Sequence, residues 1–98
     1  MQLIAILGVG EKMENEGKLR QDMNRGEKAQ ALLRNEILIE TFDFLEKQYH
    51  DAWANSSVDQ NEAREKVFMM LQNLQTVKQH IENVVTDGKL ADDTLNQL

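Results

Sequence analysis

Apolar residues recur along most of this chain at steps of three and four, the period of an amphipathic helix. Val67, Met70, Leu74, Val77, Ile81 and Val84 form one stripe, with Leu71 and Val85 beside it. Upstream, Ala31, Leu38, Phe42, Leu45, Tyr49 and Ala52 form a second, interrupted by Asn35. Between the stripes stands Asn55-Ser56-Ser57, whose side chains compete with helical backbone hydrogen bonds and favour a turn. Ser57 with Gln60, or Asp59 with Glu62, has capping-box spacing for the helix that follows. No glycine lies between Glu27 and Asp87, and the chain has no proline, so little else breaks either helix. The pattern predicts helices over roughly Arg25–Ala54 and Asp59–Thr86. Gly88 then reads as a left-handed C-terminal cap with Leu90 as its hydrophobic contact. Leu90–Leu98 reads as a short third helix, with Ala91, Leu95 and Leu98 on one side. Residues Gly8–Asn24, polar and punctuated by glycine, read as loose or only partly helical.

The expected fold class is all-α: an antiparallel hairpin of two long amphipathic helices plus a short C-terminal helix. Residues 1–24 would be a flexible or partner-docked segment, and residues 25–98 the hairpin domain. A short loop sets two long helices antiparallel, and pairs of such hairpins commonly complete a four-helix bundle. The first helix has more apolar surface than one partner can cover. Leu33, Ile37 and Phe44 lie to one side of its stripe, Leu32 and Ile39 to the other. In the second helix Phe68 and Met69 fall off the stripe. Trp53, beside the turn, suits a plug for the loop end of the core and, secondarily, an anchor for a partner. Large exposed apolar patches usually mark an interface. These residues are therefore the interface candidates, and a homo-oligomer, most simply a dimer, is the expected state. The alternative is a monomeric three-helix fold with the tail folded back.

Composition narrows the functions. The chain has 98 residues, 11 Lys and Arg against 17 Asp and Glu, a net charge of -6, and no cysteine. The charge argues against a general nucleic-acid binder, whose affinity comes from neutralising phosphates. Lys18, Arg20, Arg25 and Lys28 make one mildly basic segment, diluted by Asp22 and Glu27. Absence of cysteine removes disulfide scaffolds, Cys-ligated zinc, iron–sulfur clusters and a thiol nucleophile. The longest apolar run, Leu3–Leu7, is far short of the ~20 residues that span a bilayer. No membrane association is expected.

No constellation points to catalysis or a cofactor. Glu46 and His50 are four apart, where a di-iron bundle needs Glu-x-x-His at three. His50 and His80 read as solvated surface residues, and no metal is expected. Gly8-Val9-Gly10 follows an apolar run, but Met13 stands where a phosphate-binding turn needs its third glycine. The chain reads as non-enzymatic. Met1–Gly10 could add a strand or staple to an oligomer, insert into a partner's groove, or be an extension upstream of a start at Met13. It lacks the basic lead and the length of a signal peptide.

Arg25-Gly26-Glu27-Lys28-Ala29, then Ala52-Trp53 before a serine-rich turn, then Ala63-Arg64-Glu65 and a leucine-rich helix ending in Gly88-Lys89-Leu90 make a recurrent arrangement. Over residues 25–98 it resembles small helical proteins of tailed bacteriophages and prophages, a group without an assigned activity. The resemblance implies a viral or prophage origin and no functional residues. It sets three hypotheses in the host cytoplasm or on the virion. The first is a structural or assembly protein that oligomerises and binds other phage proteins. The second is a small acidic inhibitor or regulator of a host protein, whose charge would suit a basic groove. The third is a nucleic-acid accessory factor using residues 18–28.

Overall fold

A computed structural model describes the backbone of residues 2–98 and the side chains of residues 15–98. It contains three helices and, among the described residues, no strand: α1 (Gln2–Leu33), α2 (Glu36–Ala54) and α3 (Asn61–Asn96). α1 and α2 follow one another along a single long partner, α3. α1 packs on its C-terminal half and α2 on its N-terminal half. The turn falls between Ala54 and Asn61, around the expected Asn-Ser-Ser segment. There the Gln60 side-chain oxygen accepts from the Ser57 backbone N–H at 3.0 Å, but α3 begins at Asn61 with Gln60 as its N-cap and no side-chain cap bond, so this contact ties the turn and the expected capping box is not formed.

Three expectations need correction. The first helix is not continuous over Arg25–Ala54, since it breaks at Arg34-Asn35. Asn35 leaves the helix for extended backbone (φ -68, ψ 122), and its side-chain oxygen accepts from the Leu38 N–H at 3.1 Å. It is an N-cap, the position that asparagine favours because it satisfies an orphan donor of the new helix. The interruption in the apolar stripe was a real boundary.

Gly88 is not a cap, and the tail is not a separate helix. No described glycine has positive φ, and α3 runs through Gly88 to Asn96. Gly88 is instead a point of close approach. A Cβ built on it would lie 2.8 Å from Gly26 Cα and 3.0 Å from the Asp22 carbonyl oxygen. One built on Gly26 would lie 2.8 Å from Gly88 Cα. Only glycine on both sides lets the two backbones cross so closely. Ala29 and Ala91 flank the crossing and are buried, Ala91 to 2% exposure.

The third correction is to the loose stretch Gly8–Asn24, which belongs to α1. Over its described side chains, Leu19, Met23, Gly26, Gln30 and Leu33 recur at helical spacing and turn toward α3. The readings made for Met1–Gly10 and for a start at Met13 fall on side chains outside the described residues.

The resulting molecule is long and thin. Its extents are 70 × 31 × 15 Å and its radius of gyration 21.0 Å, against about 13 Å for a compact chain of this length. Among the described residues the buried apolar side chains are Ala29, Leu74 and Ala91. Two alanines and a leucine make a very small sealed core.

Candidate interaction surface

The part of the hairpin built from large side chains is the α2–α3 arm. Leu38, Phe42, Leu45 and Tyr49 of α2 are half-buried against α3. The opposing seam is Arg64, Val67, Leu71, Leu74, Lys78 and Ile81, which alternates in threes and fours like a coiled-coil seam. This rotates the contact away from the expected stripe. Leu71 lies in the seam rather than beside it, Val85 packs against α1 near Met23 and Gly26, and Met70 and Val77 are 47% and 51% exposed. The physical reason is that one antiparallel neighbour covers one narrow strip of a helix. α2 selects the strip with Leu71 and Lys78 and leaves the next one open.

The two sides of this arm differ chemically. On one side, Glu46 accepts from the Gln75 side-chain amide at 2.7 Å and pairs with Lys78 at 3.5 Å. Near the turn, the Arg64 guanidinium lies 4.2 Å from the centre of the Trp53 ring, a cation–π contact. The Arg64 Nε is tucked in without a hydrogen-bond partner. Trp53 and Phe68 share an open groove here with His50, Leu71, Gln72 and Gln75. Further along, Leu33, Leu38, Ile39 and Phe42 line a second groove closed by Lys78 and Glu82. On this side apolar and polar groups alternate across the cleft.

The other side has no such bridges among its described residues. At about 100° per residue, Ile37, Thr41, Phe44 and Gln48 of α2 and Lys66, Met70, Asn73 and Val77 of α3 fall there. Ile37 is 69% exposed and Phe44 57%. Asp51 continues the α2 strip one step beyond Gln48 and pairs with Lys47 of the same helix at 2.9 Å, so Asp51 and Lys66 are the formal charges of that side.

The interface candidates thus divide. Trp53 and Phe68 come together in one groove, Leu33 and Ile39 in another, and Ile37 with Phe44 on the opposite side. Leu32 is exposed at the last turn of α1, and Met69 is exposed on α3 away from α2. Trp53 sits at the loop end as expected of a plug, yet 44% of it is open. Met70 and Val77 were missed because their spacing is as good a stripe as the true seam. Val58, Leu90 and Leu98 are also exposed.

His50 and His80 are exposed, and among the described residues no three His, Asp or Glu side chains gather to hold a metal ion. No described helix is long and apolar enough to cross a membrane. No protein-family model, curated protein or solved structure matches the chain.

Proposed function

We propose that the chain is a non-enzymatic assembly protein of a tailed bacteriophage or prophage, working by helix-mediated self-association and protein binding. The phage setting comes from the sequence resemblance over residues 25–98 alone. The interaction function rests on one observation: among the described residues the sealed apolar side chains are Ala29, Leu74 and Ala91, while Ile37, Phe44, Phe68, Met70 and Val77 stand in the open. Exposed apolar surface on that scale is the mark of an interface. Light scattering over a concentration series tests it. A stable mass above one chain is expected. A strict monomer that also fails to join purified phage particles overturns the proposal.

A second reading is supported by the net charge of -6. An acidic helical rod can occupy the basic groove of a host protein as an inhibitor. Capture of one host protein in a salt-sensitive complex, with none of the chain in purified particles, would favour it over assembly.

A further inference from the structure

We infer that the bridge-free side of the α2–α3 arm docks on the same side of a second copy, closing a four-helix bundle. This rests on the self-association proposed above and specifies its face, occupant and number.

The side is selected by charge. A chain of net charge -6 repels its own copies wherever acids meet. The strip of Ile37, Thr41, Phe44, Gln48 and Asp51 beside Lys66, Met70 and Val77 contains one acid, Asp51, which pairs with Lys47 of its own helix at 2.9 Å, and one base, Lys66. The opposite side carries Asp43, Glu46 and Glu82, with Glu46 engaged by Gln75 and Lys78. Asp51 and Lys66 balance within each strip, so two copies meet there with less like-charge repulsion than on the acid-rich side, whereas a basic foreign partner would be drawn to the acids elsewhere.

Area is compatible with the same occupant. The accessible surface is 7999 Å², where a compact monomer of this mass exposes about 5,700 Å². The difference, about 2,300 Å², belongs to the whole elongated chain, α1 included, and leaves room for the ~800 Å² per partner of a standard interface on the arm. Two hairpins stacked face to face bury this strip and leave the Trp53–Phe68 groove on the outside.

The full chain has no cysteine, so single-thiol variants report each face without interference. Val77→Cys and Gln72→Cys would be labelled with a maleimide in the associated protein. Expected is labelling at Val77→Cys about tenfold slower than at Gln72→Cys, as for a site inside a standard-size interface, with the difference lost on dilution to the monomer. The pair Phe44→Glu with Met70→Glu should reduce the mass to one chain with helical circular dichroism retained, while Phe68→Glu should keep two. A dimer whose Gln72→Cys thiol is protected instead overturns this inference and leaves self-association standing, as does a stable oligomer of any other number. A wild-type chain that is monomeric at every concentration overturns both. Should the double variant unfold, the two thiol rates still decide.

Discussion

α3 meets α1 through glycine and alanine, and meets α2 through phenylalanine, tyrosine, leucine and arginine. At Gly26 and Gly88 the backbones themselves touch, and the small residues around them leave few large side chains stranded at the crossing. Bulky residues in the α2 seam hold the axes apart, and their neighbours Ile37, Phe44, Met70 and Val77 remain uncovered. A helix pair can be tight with almost no apolar mass, or rich in apolar mass and still incomplete. The first kind is finished within one chain, and the second leaves apolar surface uncovered.

The strongest way to break this contrast is to remove the tight crossing. Gly88→Leu puts a branched side chain where even a Cβ would lie 2.8 Å from Gly26 Cα. Backbone cannot yield as a side chain can, so a loss of about 3 kcal/mol is expected in urea unfolding. An unchanged midpoint would mean that the crossing does not hold the fold. Asn35→Ala comes next. It deletes the side-chain acceptor for the Leu38 N–H, at about 1 kcal/mol. Its effect should fall on the α2–α3 arm, read as faster amide exchange there than along α1.

Gly17→Ala sharpens the comparison with the opposite sign. Nothing lies within 4 Å of a Cβ at Gly17, so helix propensity acts alone. A gain of up to about 1 kcal/mol is expected, seen as a higher Tm. If Gly17→Ala and Gly88→Leu shifted stability alike, glycine would matter here only through propensity. The smallest effect belongs to Arg64→Gln, which removes the charge over Trp53. It should cost about 0.5–1 kcal/mol, with a shift in Trp53 fluorescence as the direct readout.

Helical class, turn position and the α2 stripe were legible because each depends on local chemistry: period, absent proline, and Asn-Ser-Ser. Leu38, Phe42, Leu45 and Tyr49 do face α3. Gly88 was misread because a glycine after a helical run has two uses, and the cap is the commoner one. Its actual use depends on Gly26, most of the chain away. One signal could have found it. Gly26 and Ala29, like Gly88 and Ala91, repeat small residues three apart, a pattern that serves close helix approach and not capping. The seam of α3 was ambiguous for a different reason. Met70 and Val77 are one strip from Leu71 and Lys78, and periodicity alone does not choose between adjacent strips when both carry apolar residues.

The turn between Ala54 and Asn61 also bears on the order in which the hairpin closes. Trp53 and Arg64 lie just either side of it, while most of the chain separates Gly26 from Gly88. Closing the longer loop first costs about 1.5 kcal/mol more in chain entropy. Closure from the turn outward is therefore the cheaper route, with local contacts made before distant ones. The arm that packs most loosely forms first, and the glycine crossing is the latch that falls last. A nascent chain passes through a stage with its apolar arm assembled and its lock still open. In that interval the apolar face of the arm stands open before the crossing has closed, so the self-association proposed above would compete with the last step of folding.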